Sequence, residues 1–367
     1  MTLPAAKAAL RLATKDMTTQ EGKSPMRILI VTDAWSPQIN GVVTSITNTI
    51  RELQRFGHEV GTITPSEFRT MPCPTYPEIR LALAPRRRVA QMVEAFQPEA
   101  VHIATEGPLG LAARRHCLRT NRPFTTAYHT QFPEYVHARC RLPVGVTYAW
   151  MRHFHGPAKA VMVGTPDIRD RLAARGFTNL AMWTRGVDTD LFRPGERCEF
   201  PGERPIFLYV GRVAVEKNIA AFLSLPLPGT KWVVGDGPAR AELERRFPAA
   251  KFFGMKTGEE LAWHYRQADA FVFPSRTDTF GLVLIEAMAS GTPVAAFPVS
   301  GPIDVVQDRQ AGVLSDDLAE AALAALRLDR GAVRRYGQTF SWIAATRQFE
   351  ANLHPVSGPQ WLPEAAE

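Results

Sequence analysis

Short, almost uncharged apolar runs alternate with amphipathic segments of helical period along most of the chain. The first run, Arg27–Asp33, reads as a buried strand. Thr44–Phe56 follows with Ile46, Ile50 and Leu53 on one face, and Gly57 at its end predicts a helix stop there. Glu59–Thr64, Ala100–Ala104, Phe124–Tyr128 and Ala160–Val163 are further predicted strands, with a helix over Gly110–Arg119. A second series starts at Ile206–Val210 and continues through Lys231–Val234, Lys251–Phe253, Ala270–Phe273 and Thr292–Phe297. Helices are predicted near Ala239–Arg246, Gly258–Arg266 and Leu282–Ser290. Continuous apolar strands alternating with helices imply parallel sheets covered on both faces.

The series are separated by Phe192–Pro205, which holds three prolines and two glycines and reads as a linker. The expected organisation is a leader over 1–25, one Rossmann-like domain over 26–198 and a second over 199–340. A terminal segment over 341–367 completes it, with a helix at Ser341–Leu353 that could cross back over the linker. Two doubly wound domains would face each other across a cleft. At 367 residues and 45% hydrophobic content the chain is long enough to bury two cores.

Charge and cysteine usage narrow the classes. No apolar run reaches membrane-spanning length, and the N-terminal segment has neither an h-region nor a strand-like start. The expected location is the cytoplasm, with 1–25 a disordered leader and Met17 and Met26 alternative starts. The four cysteines (Cys73, Cys117, Cys140, Cys198) form no CxxC pair, which points to a reduced compartment and no structural metal. Residues 26–198 carry 22 Lys/Arg against 14 Asp/Glu, whereas 199–367 carry 17 against 20. The first half therefore either meets an anionic partner or is a solvated basic surface.

Three strand-exit segments carry candidate chemistry. Asp33-Ala-Trp-Ser-Pro-Gln-Ile-Asn-Gly41 leads into a helix, where Gly41 allows close backbone approach and the helix start offers N–H groups to phosphate. It is not GxGxxG, and no acidic residue ends the next strand, which disfavours a dehydrogenase. Gly211-Arg212-Val-Ala-Val-Glu-Lys217-Asn places two cations where they can close on a diphosphate, or on a solvated loop. The most specific segment is Phe273-Pro-Ser-Arg-Thr-Asp278-Thr-Phe-Gly281-Leu-Val-Leu-Ile-Glu286. There the backbone amides of Phe280, Gly281, Leu282 and Val283 would point at an anion, Asp278 can accept from sugar hydroxyls, and Glu286 sits in an apolar helix where a ribose diol would satisfy it.

In this order, with the Gly235-Asp-Gly-Pro238 turn, these motifs resemble the family-four retaining glycosyltransferases of the GT-B fold. The resemblance runs from about Arg27 to about Val306. DAWSPQINGVVTSI, YHTQFPEYV and WTRGVDTDLFRP are similar to bacterial GDP-mannose-dependent mannosyltransferases and to sulfoquinovosyl-diacylglycerol synthases. Asp278 stands where the family usually has Glu, so the donor sugar is left unspecified. The resemblance implies catalytic roles for His129, Arg212, Lys217 and Asp278. It places Arg212 and Lys217 on the donor diphosphate, with Gly41 approaching from the other domain. Glu286 goes to the ribose, and Asp278 with Phe280, Gly281, Leu282 and Val283 to the sugar and phosphates. Gly235 joins the donor-binding set, and His129 is placed beside the anomeric carbon.

It also implies a nucleoside-diphosphate sugar as donor, GDP-mannose favoured over a UDP-sugar, with no cofactor or metal required. Transfer would retain configuration, and with no side-chain nucleophile in view the expected route is same-face substitution. Arg212, Lys217 and the helix amides would stabilise the leaving diphosphate. Competing readings are a UDP-sugar-dependent glycolipid synthase and a sugar-nucleotide epimerase. Asp188-Thr-Asp190 is formally a metal-binding DxD, but it sits at the approach to the linker, and Arg212 and Lys217 already serve the diphosphate. A polyanion binder is disfavoured, because aromatic RNA-binding signatures and a zinc framework are missing; no nucleic-acid partner is expected. The acceptor is expected to be a lipid or glycan. Arg86, Arg87, Arg88, Arg114, Arg115, Arg119 and Arg122 could hold a lipid headgroup at an anionic membrane, or could be solvated helix faces.

Overall fold

The computed structural model describes residues 24–38, 40–73, 76–134, 141–198 and 203–356. Most of the expected leader, Cys140, part of the linker and the last residues of the tail lie outside these. The first half contains β1 (Arg27–Val31), α1 (Gly41–Arg55), β2 (Glu59–Ile63), β3 (Thr70–Cys73), β4 (Tyr76–Ala82), α2 (Arg86–Phe96) and β5 (Ala100–Ile103). It continues with α3 (Pro108–Arg119), β6 (Thr125–Tyr128), α4 (Val144–His155), β7 (Val161–Val163), α5 (Pro166–Ala174) and β8 (Leu180–Met182). The second half contains β9 (Ile206–Val210), α6 (Ile219–Leu223), β10 (Thr230–Val234), α7 (Arg240–Arg246), β11 (Lys251–Phe252), α8 (Gly258–Gln267) and β12 (Ala270–Phe273). It ends with α9 (Leu282–Ala289), β13 (Val294–Ala296), α10 (Pro302–Val305), β14 (Gly312–Leu314), α11 (Leu318–Ala325), α12 (Arg330–Gly337) and α13 (Trp342–Asn352).

Two parallel six-stranded sheets result, ordered β2-β1-β5-β6-β7-β8 and β11-β10-β9-β12-β13-β14. Alternation along each first strand explains why both are covered on two faces. Leu29 and Val31 pack with Val89, Val93 and Leu109, while Ile28 and Ile30 pack with Ile46 and Leu53 of α1. In the second sheet, Leu208 and Val210 join the α8–α9 side, while Phe207 and Tyr209 face Phe222 and Leu318. In each sheet the strand order reverses beside the first strand, between β1 and β5 and between β9 and β12. Crevices at such switch points are where doubly wound folds bind ligands.

Differences from the sequence expectations have local causes. Helix α1 begins three residues earlier than Thr44, because Asn40 Oδ1 accepts from the N–H groups of Val42 and Val43. Helix α3 begins at Pro108 rather than Gly110: proline suits the first helical position, and Asp33 accepts from Leu109 and Gly110 N–H. The antiparallel hairpin β3–β4 was not legible as strands. Val187 and Phe192 already pack in the second domain's core, so the chain reaches that core before the expected join at 198/199. Apolar residues in Gly186-Val-Asp-Thr-Asp-Leu-Phe192 say that they are buried, not in which core.

Helix α13 returns to the first domain. Phe349 and Leu353 join the cluster of Ile28, Ile46 and Trp183, and buried His58 Nε2 lies 3.1 Å from Glu350 Oε1. Burying a phenylalanine side chain stabilises by about 1.5–3 kcal/mol, enough to hold such a crossover in place.

Candidate active site

The site is assembled where the switch-point loops of the second domain meet the first domain. Leaving β9, the chain turns through Gly211 and Arg212, whose carbonyl accepts from Tyr209 Oη at 2.9 Å. Asn218 adopts a left-handed conformation (φ 54) and donates to Pro274 O at 3.1 Å, which ties this loop to the β12 exit. Lys217 Nζ then lies 2.5 Å from Asp278 Oδ1. The structure thus brings together two residues expected on different parts of the donor. Asp278 Oδ2 is buried without a hydrogen-bond partner among the described residues. Such an acceptor fits a sugar hydroxyl.

Gly281 (φ 84) supplies the left-handed turn that opens α9, and no side chain caps this helix end. Its first N–H groups lack intrahelical acceptors and carry the positive end of the helix dipole, which suits a phosphate. In the first domain the situation differs. Asn40 takes the Val42 and Val43 N–H groups, so the expected anion cradle there shrinks to the approach of Gly41 itself. A Cβ on Gly41 would stand 3.5 Å from the Leu282 side chain, so the starts of α1 and α9 meet across the cleft.

Glu286 lies on α9, where burial raises its carboxyl to about pKa 7 against the opposing effect of the Tyr265 hydroxyl. Tyr265 Oη donates to Glu286 Oε2 at 2.9 Å. This satisfies one oxygen from inside the protein, a partner that sequence reasoning missed because it lies on another helix. Gly235 is at the β10 exit, and a Cβ there would fall 1.9 Å from Gly211 O. Its glycine is thus accounted for by packing of one loop on the other.

His129 follows β6 and reaches the same junction. Its carbonyl accepts from Thr279 Oγ1 at 2.7 Å, and Gln131 Nε2 donates to Asp278 O at 3.3 Å. Burial, followed by the charge of Arg185, holds the imidazole well below its ordinary pKa, so the ring is neutral. Farther along the junction, Arg171 donates to Ser300 Oγ at 2.7 Å, Ser300 donates to Asp167, and Asp304 accepts from Asp167 N–H at 3.0 Å. These contacts hold the two domains together beside the site.

The remaining candidates separate. Asp188 Oδ1 accepts from the N–H groups of Asp190 and Leu191, so this half of the DxD sequence closes a turn. Among the described residues no cluster of His, Cys, Asp and Glu has metal-binding geometry. Arg122 is buried and donates to Pro98 O, and Arg114 donates to the carbonyls of His153 and Phe154. Arg122 leaves the group of arginines that could hold a headgroup, because it is buried on a carbonyl of its own domain, whereas half-buried Arg114 also lines the groove between α2 and α3. Arg86, Arg115 and Arg119 remain exposed around a groove of about 680 Å³, together with Leu111 and Leu118. No described helix is long and apolar enough to cross a membrane.

The chain matches the family profile Glycosyltransferase Family 4 over residues 39–191 and Glycosyl transferases group 1 over residues 204–329. It is 33% identical to a GDP-mannose-dependent alpha-mannosyltransferase of Mycolicibacterium smegmatis, over 90% of this chain and 94% of that protein. Identity is 31% to the sulfoquinovosyl transferase SQD2 of Arabidopsis thaliana, over 78% of this chain and 62% of the relative. Among solved structures, sucrose-phosphate synthase from Thermosynechococcus elongatus superposes with a TM-score of 0.68 at 22% identity, covering 88% of this chain and 97% of that one. Anabaena Alr3699/HepE in complex with UDP gives a TM-score of 0.63 at 14% identity, covering 88% and 98%.

Proposed function

Since the chain belongs to the family-four glycosyltransferases of the GT-B fold, an enzyme family that transfers sugar from a nucleotide sugar, we propose that it is a retaining mannosyltransferase. GDP-mannose is the proposed donor and a lipid or glycan hydroxyl the acceptor. The observation that carries the donor-site reading is the group formed by Lys217, Asp278 and the uncapped start of α9. A cation and a helix N-terminus suit the diphosphate, and the unpartnered Asp278 Oδ2 beside them suits a hydroxyl of the attached sugar.

In this reading Arg212 and Lys217, with the amides of Phe280, Gly281, Leu282 and Val283, stabilise the charge that builds on the leaving diphosphate. Glu286 holds the ribose, Gly41 and Leu282 narrow the cleft over the donor, and His129 lies beside the transferred sugar. Gly235 shapes the loop beneath it. The acceptor hydroxyl attacks from the face the diphosphate leaves, and a phosphate oxygen takes its proton, which gives retention without a covalent enzyme intermediate. The basic groove between α2 and α3, with its exposed Leu111 and Leu118, suits peripheral contact with anionic lipid. Such contact would put the protein at a membrane surface.

A second reading, a UDP-sugar-dependent glycolipid synthase, is favoured by the likeness to SQD2, and Asp278 in place of the usual Glu leaves the donor sugar open between the two. A thermal-shift screen of GDP, UDP and ADP sugars separates the two. Stabilisation by GDP-mannose alone supports the proposal, and stabilisation by UDP-sugars alone rejects it. Arg212→Ala and Glu286→Ala are each expected to lower donor turnover at least about a hundredfold, and wild-type rates would reject the site.

A further inference from the structure

Arg185 lies in the segment after β8, outside every donor contact assigned above. It is buried, and its Nη2 lies 3.3 Å from Nδ1 of His129. A guanidinium has donors and no acceptor, so Nδ1 must present its lone pair. In a neutral ring the single proton is then on Nε2. That Nε2 is buried and has no protein partner among the described residues.

The guanidinium is itself held in place. It donates to Thr184 O at 3.0 Å and to Trp183 O, and lies over the Trp183 ring at 4.1 Å. The edge-on ring of His129 meets the same Trp183 at 5.5 Å. From the other side, helix α13 fixes this segment: Gln348 Oε1 accepts from Thr184 N–H and Oγ1, each at 2.9 Å, and Phe349 packs on Trp183 at 4.9 Å. Burial lowers the Arg185 pKa to about 9, which leaves it charged at neutral pH.

We propose that Arg185 is a positioning residue that holds His129 as the Nε2–H tautomer, so that the imidazole offers a hydrogen-bond donor, not an acceptor, to the transferred sugar. The proposal rests on the placement of His129 beside that sugar. Without Arg185 the ring could place its proton on Nδ1 and turn a lone pair toward the same hydroxyl, which would favour a different hydrogen-bond pattern in the reacting complex.

The test uses the full chain labelled with ¹⁵N-histidine, with the His129 signals assigned by their loss in His129→Ala. Wild type should show the Nε2–H pattern for His129. Arg185→Met should lose it and lower kcat at least about tenfold, with donor KM nearly unchanged. Arg185→Gln, whose amide can still donate to Nδ1, should restore both the pattern and most of the rate. In a His129→Ala background, Arg185→Met should cause no further loss.

If His129→Ala is impaired but Arg185→Met keeps both the Nε2–H pattern and the rate, the proposal alone fails. Multiplying losses in the double variant would likewise reduce Arg185 to a structural role. If His129→Ala transfers at the wild-type rate, the placement of His129 falls and the proposal with it. Should Arg185→Met not fold, Arg185→Lys and Arg185→Gln carry the test: loss of the His129 pattern in Gln while Lys retains rate without pattern would overturn it.

Discussion

Lys217 Nζ is 2.5 Å from Asp278 Oδ1, so a cation and a carboxylate expected on neighbouring parts of the donor are bonded to each other. The pair joins the loops after β9 and β12, and both side chains are largely shielded from solvent. Each therefore orients the other as well as meeting the donor. Lys217→Met is expected to lower donor kcat/KM by about 10- to 150-fold, the range of a charge-assisted hydrogen bond worth about 1.5–3 kcal/mol. Steady-state kinetics would check this. Asp278→Glu keeps the charge and lengthens the reach, and should reorder preference among donor sugars. An unchanged order would show that Asp278 does not read the sugar.

Glu286 gives a pH dependence with a definite sign. Burial raises its carboxyl to about 7, and a ribose diol binds best to the ionised form. Donor affinity should therefore be full above neutral pH and weaken as pH falls through about 7. In the empty protein the folded state holds this proton more tightly than the unfolded chain. Its contribution to stability is thus present below the ordinary value of 4.5 and lost as pH rises through about 7. Glu286→Gln should flatten the binding profile, whereas Tyr265→Phe should move its midpoint upward by removing the hydrogen bond to Oε2. Calorimetric titration with the nucleotide sugar across the neutral range reads both.

Asp33 is expected to matter for stability. Its carboxylate accepts from Leu109 N–H, Gly110 N–H and the Thr105 hydroxyl, at 2.9, 3.2 and 3.0 Å. Asp33→Ala leaves buried donors at the start of α3 without this partner and should cost about 1–3 kcal/mol in chemical denaturation. Burial raises the Asp33 carboxyl from 3.8 to about 6 against these hydrogen bonds, so the proton-linked part of its contribution is present below 3.8 and lost as pH rises through about 6, whereas the accepted hydrogen bonds persist above it. A denaturation midpoint unchanged in Asp33→Ala would show that α3 does not depend on this cap.

The returning helix should be needed for the first domain to remain folded. Phe349 is fully buried and meets the rings of His102 and Trp183 at 4.8 and 4.9 Å. Phe349→Ala is expected to destabilise by about 3–5 kcal/mol, seen as a lowered melting temperature. A wild-type melt would mean that α13 is dispensable.

What could be read from the sequence was what is local in it. Strands such as Ile206–Val210 are continuous apolar runs because both sheet faces are covered, and strand-exit glycines mark where the backbone turns toward the cleft. Asn40 was visible as part of a turn, but its role as a helix cap required the exact start of α1. Pairings over long chain separations left no such trace. Asp33 meets Leu109 and Gly110 more than seventy residues away, and Arg185 meets His129 across 56. Arg122 looked like a member of the basic surface because composition cannot separate a solvated guanidinium from one buried on a carbonyl.

The chain passes between its two domains at two places that touch. Val187 N–H donates to Phe340 O at 3.1 Å, and Val187 forms a parallel bridge with Ser341. Two adjacent crossings joined in this way form a knuckle: a swing of the halves about it would leave the bridge intact, whereas sliding them apart would break it. Displacement in such a swing would grow with distance from the pivot, so any opening of the cleft should be read at Gly41 and Leu282, where the two helix starts meet, and not at Val187 and Ser341.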